Sequence, residues 1–432
     1  MTLAEIAHAV GGRLDAVQDE RATVAAATAL DSRQVELGGL FAEIGGKRVD
    51  EHEFASAAME NGAVAVLATR PTGTLAIIVD DVVAAMSNLA HAVATRYTGR
   101  VLAITGSAGT TSTKDLLTQI LVRHGSVVAT QRSFNNEIGF PHTVLRVEAD
   151  TDFLVLEMGA RGRGHISHLA AIARPQIGAV LGIGSAHIGE FGSREAIAVA
   201  KRELVEALDS TGIAVVNADD PLVDAMSEHT RAQVLRFGTG PNADVRATDI
   251  TLDANAREQF TLRSGDDAAP IRLGVVGEHH LVNALAAAAL ALSAGVEFDT
   301  VADGLDGAGL ASGSRMEVTE RPDEVTVIND AFNASPESAE AAVRSLATIA
   351  TDLRPTVAVL GEMRELGDTA PALHATIGRQ VAHLGIGTLI TVGGHHAELM
   401  ATAARDAGSA QVTHVAGWPA YADFMGRDRG GG

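Results

Sequence analysis

The sequence predicts an α/β protein with three domains, and three observations support this. The chain has 432 residues, and domains of roughly 100–200 residues make three the expected number. Hydrophobic residues form 46% of it and charged residues 20%, which is typical of soluble globular proteins. Short apolar runs alternate with helical patterns along most of the chain, an order typical of parallel sheets covered by helices. The predicted domains are 1–97, 98–312 and 313–432.

The first domain is predicted to be a small α/β unit that opens on an amphipathic helix. One face of this helix carries four apolar residues, Leu3, Ile6, Ala7 and Val10. The turn Gly38-Gly39 leads into a strand, and two apolar runs at 63–67 and 75–79 have strand length.

The second domain opens with a buried strand over 101–105, followed at once by a glycine-rich turn and a helix from about Ser112. Further strands are predicted over 153–156, 177–181 and 213–216, and helices over 194–208 and 283–294. This alternation predicts a parallel sheet with helices on both faces. Between 235 and 276 polar and apolar residues alternate, which predicts an antiparallel insert or edge.

The third domain is predicted to be a second, Rossmann-like α/β unit that begins near Ser314. Its strands are expected over 325–328, 357–360 and 388–392, with helices between them. The tail 427–432 is rich in glycine and charge and is expected to be disordered.

Composition excludes several classes of function. The chain has 33 basic and 54 acidic residues, a net charge of −21, with no Cys and 3% aromatic residues. The negative electrostatic field of such a chain repels polyanions, so nonspecific nucleic-acid binding is not expected. Disulfides and thiolate metal sites are excluded. Since no signal peptide pattern or apolar stretch of about 18 residues is found, we expect a cytoplasmic protein without a membrane span.

The sharpest local signal is the glycine-rich segment that follows the strand over 101–105. Six residues form its phosphate-binding candidate: Gly106, Ser107, Ala108, Gly109, Thr110 and Thr111. A strand, such a turn and a helix start present N–H groups to an anion. A Walker A loop has lysine where Thr110 stands, and Lys114 lies one helical turn further on. The alternative interpretation is a βα turn that binds no ligand.

Three further residues are candidates for chemistry on weaker grounds. Glu157 and His187 follow predicted strands, where ligands of parallel sheets bind. A carboxylate at that place suits Mg²⁺, which prefers oxygen ligands. Lys201 lies in a predicted helix. Each has an ordinary structural alternative: a strand-end carboxylate, a hydrogen-bonded histidine and a solvated helix face.

Together with other motifs, these places resemble the Mur ligase family, and within it the members that add D-alanyl-D-alanine. The resemblance covers nearly the whole chain and is carried by 31–33, 38–41, 105–114, 134–139, 157–160, 186–192, 201, 217–221, 277–283, 315–318, 329–333 and 360–367. It implies an ATP-dependent ligase that joins an amino acid or dipeptide amine to a UDP-linked muramyl peptide. The reaction would pass through an acyl phosphate, in peptidoglycan precursor synthesis.

The resemblance also implies roles for the three domains and for individual residues. The domains would be an N-terminal UDP-substrate domain, a central P-loop-type ATPase domain and a C-terminal Rossmann-like domain. The last is expected to be shortened, because the chain ends at Gly432 without the family's closing strand. ATP would be bound by the loop 106–111 and by Asn283, Arg315 and Asp330. Two Mg²⁺ would be held by Thr111, Glu157, His187 and a carbamylated Lys201. The substrates would meet Asp31, Ser32, Arg33, Asn135, Asn136, Asn333 and Pro336.

The chain departs from the family's pattern at several of these places. Thr110 replaces the lysine of the phosphate loop, and Phe332 and Ser335 replace residues of the dipeptide-facing motif. Three functions are compatible with this: a working ligase, a specialised paralogue that joins another amine in secondary metabolism, and a catalytically impaired binding or regulatory homologue. A Rossmann oxidoreductase is a remote fourth, because no Gly-x-Gly-x-x-Gly follows a strand. We expect a monomer.

Overall fold

The computed structural model describes residues 1–44, 51–131, 134–350 and 354–417, without the side chains of 51–53. The predicted disorder of 427–432 lies outside these residues. The chain has the predicted α/β fold, built on a five-stranded sheet, a nine-stranded sheet, and a two-stranded and a three-stranded sheet near the C-terminus. In the described part, no helix is long and apolar enough to cross a bilayer. The domain boundaries at 97 and 312 stay predictions.

The first sheet has the order β1-β5-β4-β3-β2, with β1 alone antiparallel to its neighbour. Its elements are α1 (Leu3–Val10), β1 (Arg13–Asp15), β2 (Thr28–Ala29), β3 (Leu40–Ala42), α2 (Glu51–Glu60), β4 (Ala65–Ala68), β5 (Ala76–Ile78) and α3 (Val82–Arg96). A capping box between Thr2 and Glu5 starts α1, and Gly11 ends it with a φ of 65°. Leu3, Ile6, Ala7 and Val10 are buried, as predicted.

The second sheet carries the order β14-β13-β12-β11-β10-β9-β6-β8-β7. Its first elements are β6 (Arg100–Thr105), α4 (Thr110–Leu121), β7 (Val127–Ala129), α5 (Gly139–Val144), β8 (Phe153–Glu157), α6 (His165–Ala173), β9 (Ile177–Val180), α7 (Ile188–Phe191) and α8 (Arg194–Glu206). The remaining ones are β10 (Ile213–Asn217), α9 (Pro221–Asp224), β11 (Gln233–Gly238), β12 (Val245–Leu252), β13 (Arg257–Ser264), β14 (Asp267–Val276), α10 (His280–Ser293) and α11 (Phe298–Leu305).

Parallel pairing in this sheet places the ends of β6, β8 and β9 at one edge. These three strands are adjacent and almost wholly buried, which explains their continuous apolar sequence. Helices α4 and α10 pack together over one face of the sheet. Beyond β11, the sheet continues sideways through β12, β13 and β14, which pair antiparallel with one another. This confirms the antiparallel insert predicted within 235–276.

The C-terminal part contains β15 (Glu317–Glu320), β16 (Thr326–Asn329), α12 (Pro336–Ile349), β17 (Val357–Gly361), α13 (Ala370–His383), β18 (Thr388–Val392), α14 (His395–Asp406) and β19 (Gln411–Val415). Its parallel sheet is β17-β18-β19. The strand predicted over 325–328 is present as β16, but it pairs antiparallel with β15 through a tight turn at Glu324 and is not part of this parallel sheet. Strand β19 was not predicted, because only Val415 of its five residues is buried.

Candidate active site

A cavity of about 530 Å³ lies at the edge where β6, β8 and β9 end. The C-terminal part of the chain forms its opposite wall. The structure brings most of the predicted site residues together in its lining: residues 106–111, Asn135, Asn136, Glu157, His187, Lys201, Arg315, Asp330 and Asn333. The roles that the resemblance implies for them stay predictions.

The glycine-rich loop is built as an anion-binding turn. Helix α4 begins at Thr110, two residues earlier than predicted, and Gly109 precedes it with a φ of 82°. A Cβ at Gly109 would collide with the side-chain oxygen of Asn283. Only glycine therefore satisfies both the backbone angle and the close approach. The free N–H groups at the start of α4 face the cavity edge, where an anion is stabilised.

Glu157 ends β8 and is 1% exposed. Its Oε2 accepts a hydrogen bond of 3.0 Å from the Thr111 hydroxyl. Burial raises the pKa of Glu157 to about 7, against the opposing positive charge of Lys114 and the hydrogen bond from Thr111. A buried carboxylate with a raised pKa at a cavity wall is a typical partner for a cation.

Lys114 does not take the place of the missing loop lysine. Its ammonium is buried 2.6 Å from the Asp115 carboxylate and donates to the carbonyl of Thr130 at 3.1 Å. Both partners lie off the cavity lining. In this geometry Lys114 cannot replace a lysine at 110 without rearrangement.

Lys201 and His187 reach the cavity from neighbouring elements. Lys201 lies on α8 and is 6% exposed, and burial lowers the pKa of its amine to about 8. His187 precedes α7 with a φ of 62°, and its Nδ1 contacts the carboxylate of Glu365. Among the described residues, no three His, Asp or Glu side chains cluster as metal ligands.

The opposite wall is formed by residues that follow the second sheet. The guanidinium carbon of Arg315 lies 4.3 Å from the centre of the Phe332 ring, a cation–π contact. Asp330 accepts a hydrogen bond of 3.1 Å from the N–H of Met316, and burial raises the pKa of Asp330 to about 6. A cationic and an acidic side chain thus face the glycine-rich loop from this wall.

Four buried polar atoms in the cavity lining have no hydrogen-bond partner among the described residues. They are Ser107 Oγ, Glu157 Oε1, His279 Nδ1 and His280 Nε2. Unsatisfied buried polar groups are costly, and several in one cavity indicate a polar ligand. A nucleotide with its cation would supply both acceptors and a positive charge.

Several predicted site residues do not line the cavity. Asp31 and Arg33 bind each other, at 2.7 Å between Arg33 Nη2 and Asp31 Oδ2, and Ser32 is buried between them. Asn283 is buried beneath the loop, where its Oδ1 accepts from the Thr113 hydroxyl at 3.3 Å. Pro336 is the first residue of α12 and is buried. Their proposed ligand contacts stay predictions.

Some lining residues were not among the predicted site residues. They are Ser112, Glu137, Met158, Gly159, Ala160, Arg161, His165, His279, His280, Met316, Phe332, Ser335, Glu337 and Ser338. Arg161 and His165 follow β8 within a few residues, so the strand-end rule that identified Glu157 would have found them. Nothing in the local sequence near Glu337 signals its place in the cavity.

Comparison with known proteins gives a consistent result. The model of the Mur ligase middle domain matches residues 104–291. That of the Mur ligase glutamate ligase domain matches residues 314–425. UDP-N-acetylmuramoyl-tripeptide–D-alanyl-D-alanine ligase of Mycobacterium tuberculosis H37Rv is 45% identical over 91% of this chain and 83% of its own. The enzyme of that name from Escherichia coli K12 is 34% identical over 91% and 86%.

Solved structures are similar as well. A crystal structure of MurF from Acinetobacter baumannii superposes with a TM-score of 0.85 at 29% identity, covering 99% of this chain and 92% of the other. The structure of MurF from Thermotoga maritima in complex with ADP superposes with a TM-score of 0.74 at 28% identity. The match covers 91% of this chain and 94% of the other.

Proposed function

The chain belongs to the Mur ligase family, and we propose that it is an ATP-dependent ligase of the MurF type. It would join D-alanyl-D-alanine, or a closely related amine, to a UDP-linked muramyl tripeptide in peptidoglycan precursor synthesis. One observation carries the proposal: the glycine-rich loop, Glu157, Lys201 and Arg315 face one another across a single cavity. The relatives' names give the substrates.

The chemistry begins with the terminal carboxylate of the muramyl peptide. Its oxygen attacks the γ-phosphorus of ATP, and ADP leaves as the acyl phosphate forms. The amine nitrogen then attacks the acyl carbon, inorganic phosphate leaves, and the nitrogen loses a proton. The first step needs charge stabilisation on the transferring group more than covalent help. The N–H groups that begin α4 and the guanidinium of Arg315 would take that role, which their place at the cavity supports.

The residues present fit Mg²⁺ as well as a nucleotide. Thr111 and Glu157 would hold one ion, which fits the unpartnered Glu157 Oε1. His187 and Lys201 would hold a second if the Lys201 amine carried CO₂ as a carbamate, because an ammonium repels a cation. When bound, Mg²⁺ would neutralise charge on the phosphate oxygens. We place the reaction in the cytoplasm, where ATP and UDP-linked precursors occur together.

The test is product formation by the purified chain. With ATP, Mg²⁺, the UDP-linked muramyl tripeptide and D-alanyl-D-alanine, we expect ADP release together with a pentapeptide product of the calculated mass. Glu157→Ala should lose this activity, whereas Glu228→Ala, on an exposed surface of the same unit, should keep it. ADP release only with a different amine would indicate a specialised paralogue. Substrate binding without ADP release under any condition would refute the ligase assignment.

A further inference from the structure

The segment 184–189 lies between β9 and α8, the helix that carries Lys201, and it is held by the C-terminal part of the chain. Glu337, in the first turn of α12, accepts two hydrogen bonds from Ser185. The backbone N–H of Ser185 donates at 2.7 Å and its hydroxyl at 2.6 Å, both to Oε1 of Glu337. Gly184 allows this approach, because a Cβ there would lie 2.8 Å from the same oxygen.

The other end of the segment is held by the loop that follows β17. The carboxylate of Glu365 contacts Nδ1 of His187, and the Glu365 carbonyl accepts from the N–H of Gly189 at 3.0 Å. Gly189 and Gly367 pack backbone to backbone, so that a Cβ at Gly189 would lie 2.5 Å from the nitrogen of Gly367. Neither glycine could become alanine without separating the two parts.

His187 and Glu365 share an unusual backbone conformation. Both have a φ of 62°, in the left-handed region. For residues other than glycine this conformation is strained and persists only when the surroundings impose it. Two such residues in contact across an interface indicate that the interface itself maintains the strain.

We propose that Glu337 and Glu365 are positioning residues that latch the C-terminal part onto segment 184–189. Contact of the C-terminal part with this segment would then fix the orientation of His187 in the cavity. A carboxylate at Nδ1 keeps the proton there and leaves Nε2 as an acceptor, a common arrangement for a histidine that faces a cation. The contacts of Glu337 and Glu365 are independent of the proposed function. Only the reaction in which His187 would take part depends on it.

The chain has no Cys, so spin labels can be placed without background. Ala225→Cys and Thr402→Cys put one label on an exposed site in each part. Electron–electron double resonance should give one narrow distance distribution with ADP and Mg²⁺. Glu337→Ala combined with Glu365→Ala should broaden it and shift it to longer distances. The matched control is Glu340→Ala, one turn along α12, whose carboxylate pairs with Arg344 of the same helix.

Kinetics separate positioning from mere structural support. We expect the double alanine variant to lose about tenfold or more in kcat, since small misplacement of reacting groups costs up to about 100-fold. The KM for ATP should rise by a smaller factor than kcat falls, because the glycine-rich loop stays in place and only Arg315 and Asp330 move with the C-terminal part. Glutamine at both positions should restore most of kcat, because its amide oxygen can still accept from Ser185 at position 337 and contact His187 Nδ1 from position 365.

Gly189→Ala tests the backbone contact between Gly189 and Gly367 without changing a carboxylate. Its added Cβ should open the distance distribution as the double variant does. The proposal is overturned if both variants give the distances and kcat of Glu340→Ala. A parent chain that forms no product, yet shows the expected distance changes, would refute the proposed function and leave the latch intact.

Discussion

At the scale of single residues, Thr110 poses the sharpest question. It stands where a phosphate loop has its lysine, and Lys114 is occupied by Asp115 and Thr130. Arg315 is the cationic side chain that faces the loop from the opposite wall. We therefore expect Arg315 to supply part of the positive charge that the loop lacks near the phosphates.

We expect Thr110→Lys to raise kcat/KM for ATP, by about 100- to 1000-fold if the cation contributes as much as one preorganised hydrogen-bond donor does. Arg315→Ala should then cost less in the Thr110→Lys background than in the parent, a coupling that a double-mutant cycle measures. Thr110→Met controls for side-chain length. If kcat/KM in Thr110→Lys is unchanged or lower, the loop does not need a cation at position 110.

Lys201 gives a prediction about pH. Burial lowers the pKa of its amine to about 8, so the neutral form that reacts with CO₂ increases as the pH rises towards 8. At fixed total bicarbonate we expect carbamate occupancy to rise from pH 6 to 8 and to level off above. ¹³C NMR with labelled bicarbonate measures it, and the chain has just three lysines, Lys47, Lys114 and Lys201. A signal that survives Lys201→Arg, or that rises steadily to pH 10, would contradict the assignment.

At the scale of elements, the sequence predicted the strands that are buried on both faces. The run 153–156 is continuous and apolar because β8 is buried along its whole length, as are β9 and all of β6 except Arg100. These strands end at the site, which is why Glu157 could be found from its position alone. Strand β19 was missed because alternation at a sheet edge is weak. The pairing of β16 with β15 depends on a turn at Glu324 that has no glycine.

Helix α10 yields a prediction about Asn283. The resemblance implies a contact with adenine, whereas the structure places Asn283 under Gly109 with bonds to Thr113 and His280. If it supports the loop, Asn283→Ala should weaken binding of ADP by about tenfold, the cost of one to two lost hydrogen bonds. Adenosine, which lacks phosphates, should bind unchanged. Calorimetry with ADP and with adenosine distinguishes the two roles of Asn283. Equal losses of affinity for both ligands would favour the adenine contact.

At the scale of the whole molecule, sequence alone could not show how the two cavity walls meet. Ser185 and Glu337 are 152 residues apart in the chain, and no local pattern links positions so distant. The resemblance named Arg315 and Asp330 as residues that act from the C-terminal part, but Glu337 and Glu365 became visible only through contacts. Motifs therefore identified the groups at strand ends, while the groups that hold the parts together required the structure.

The net charge of −21 leads to a prediction about ionic strength. The UDP-linked substrate is a polyanion and meets a repulsive field, whereas D-alanyl-D-alanine is a zwitterion with no net charge. The Debye length falls from about 30 Å at 0.01 M salt to about 8 Å at 0.15 M. Distant acidic residues are then screened, while Arg161 and Arg315 in the cavity lining still act at contact distance.

We therefore expect kcat/KM for the UDP-linked substrate to rise a few-fold between about 10 and 150 mM NaCl at constant Mg²⁺. The value for D-alanyl-D-alanine, measured in the same reactions, should stay constant and serves as the internal control. Parallel changes for both substrates would point to an effect of salt on the protein itself. A fall for the UDP-linked substrate alone would mean that the cavity's cations, and not the net charge, govern its capture.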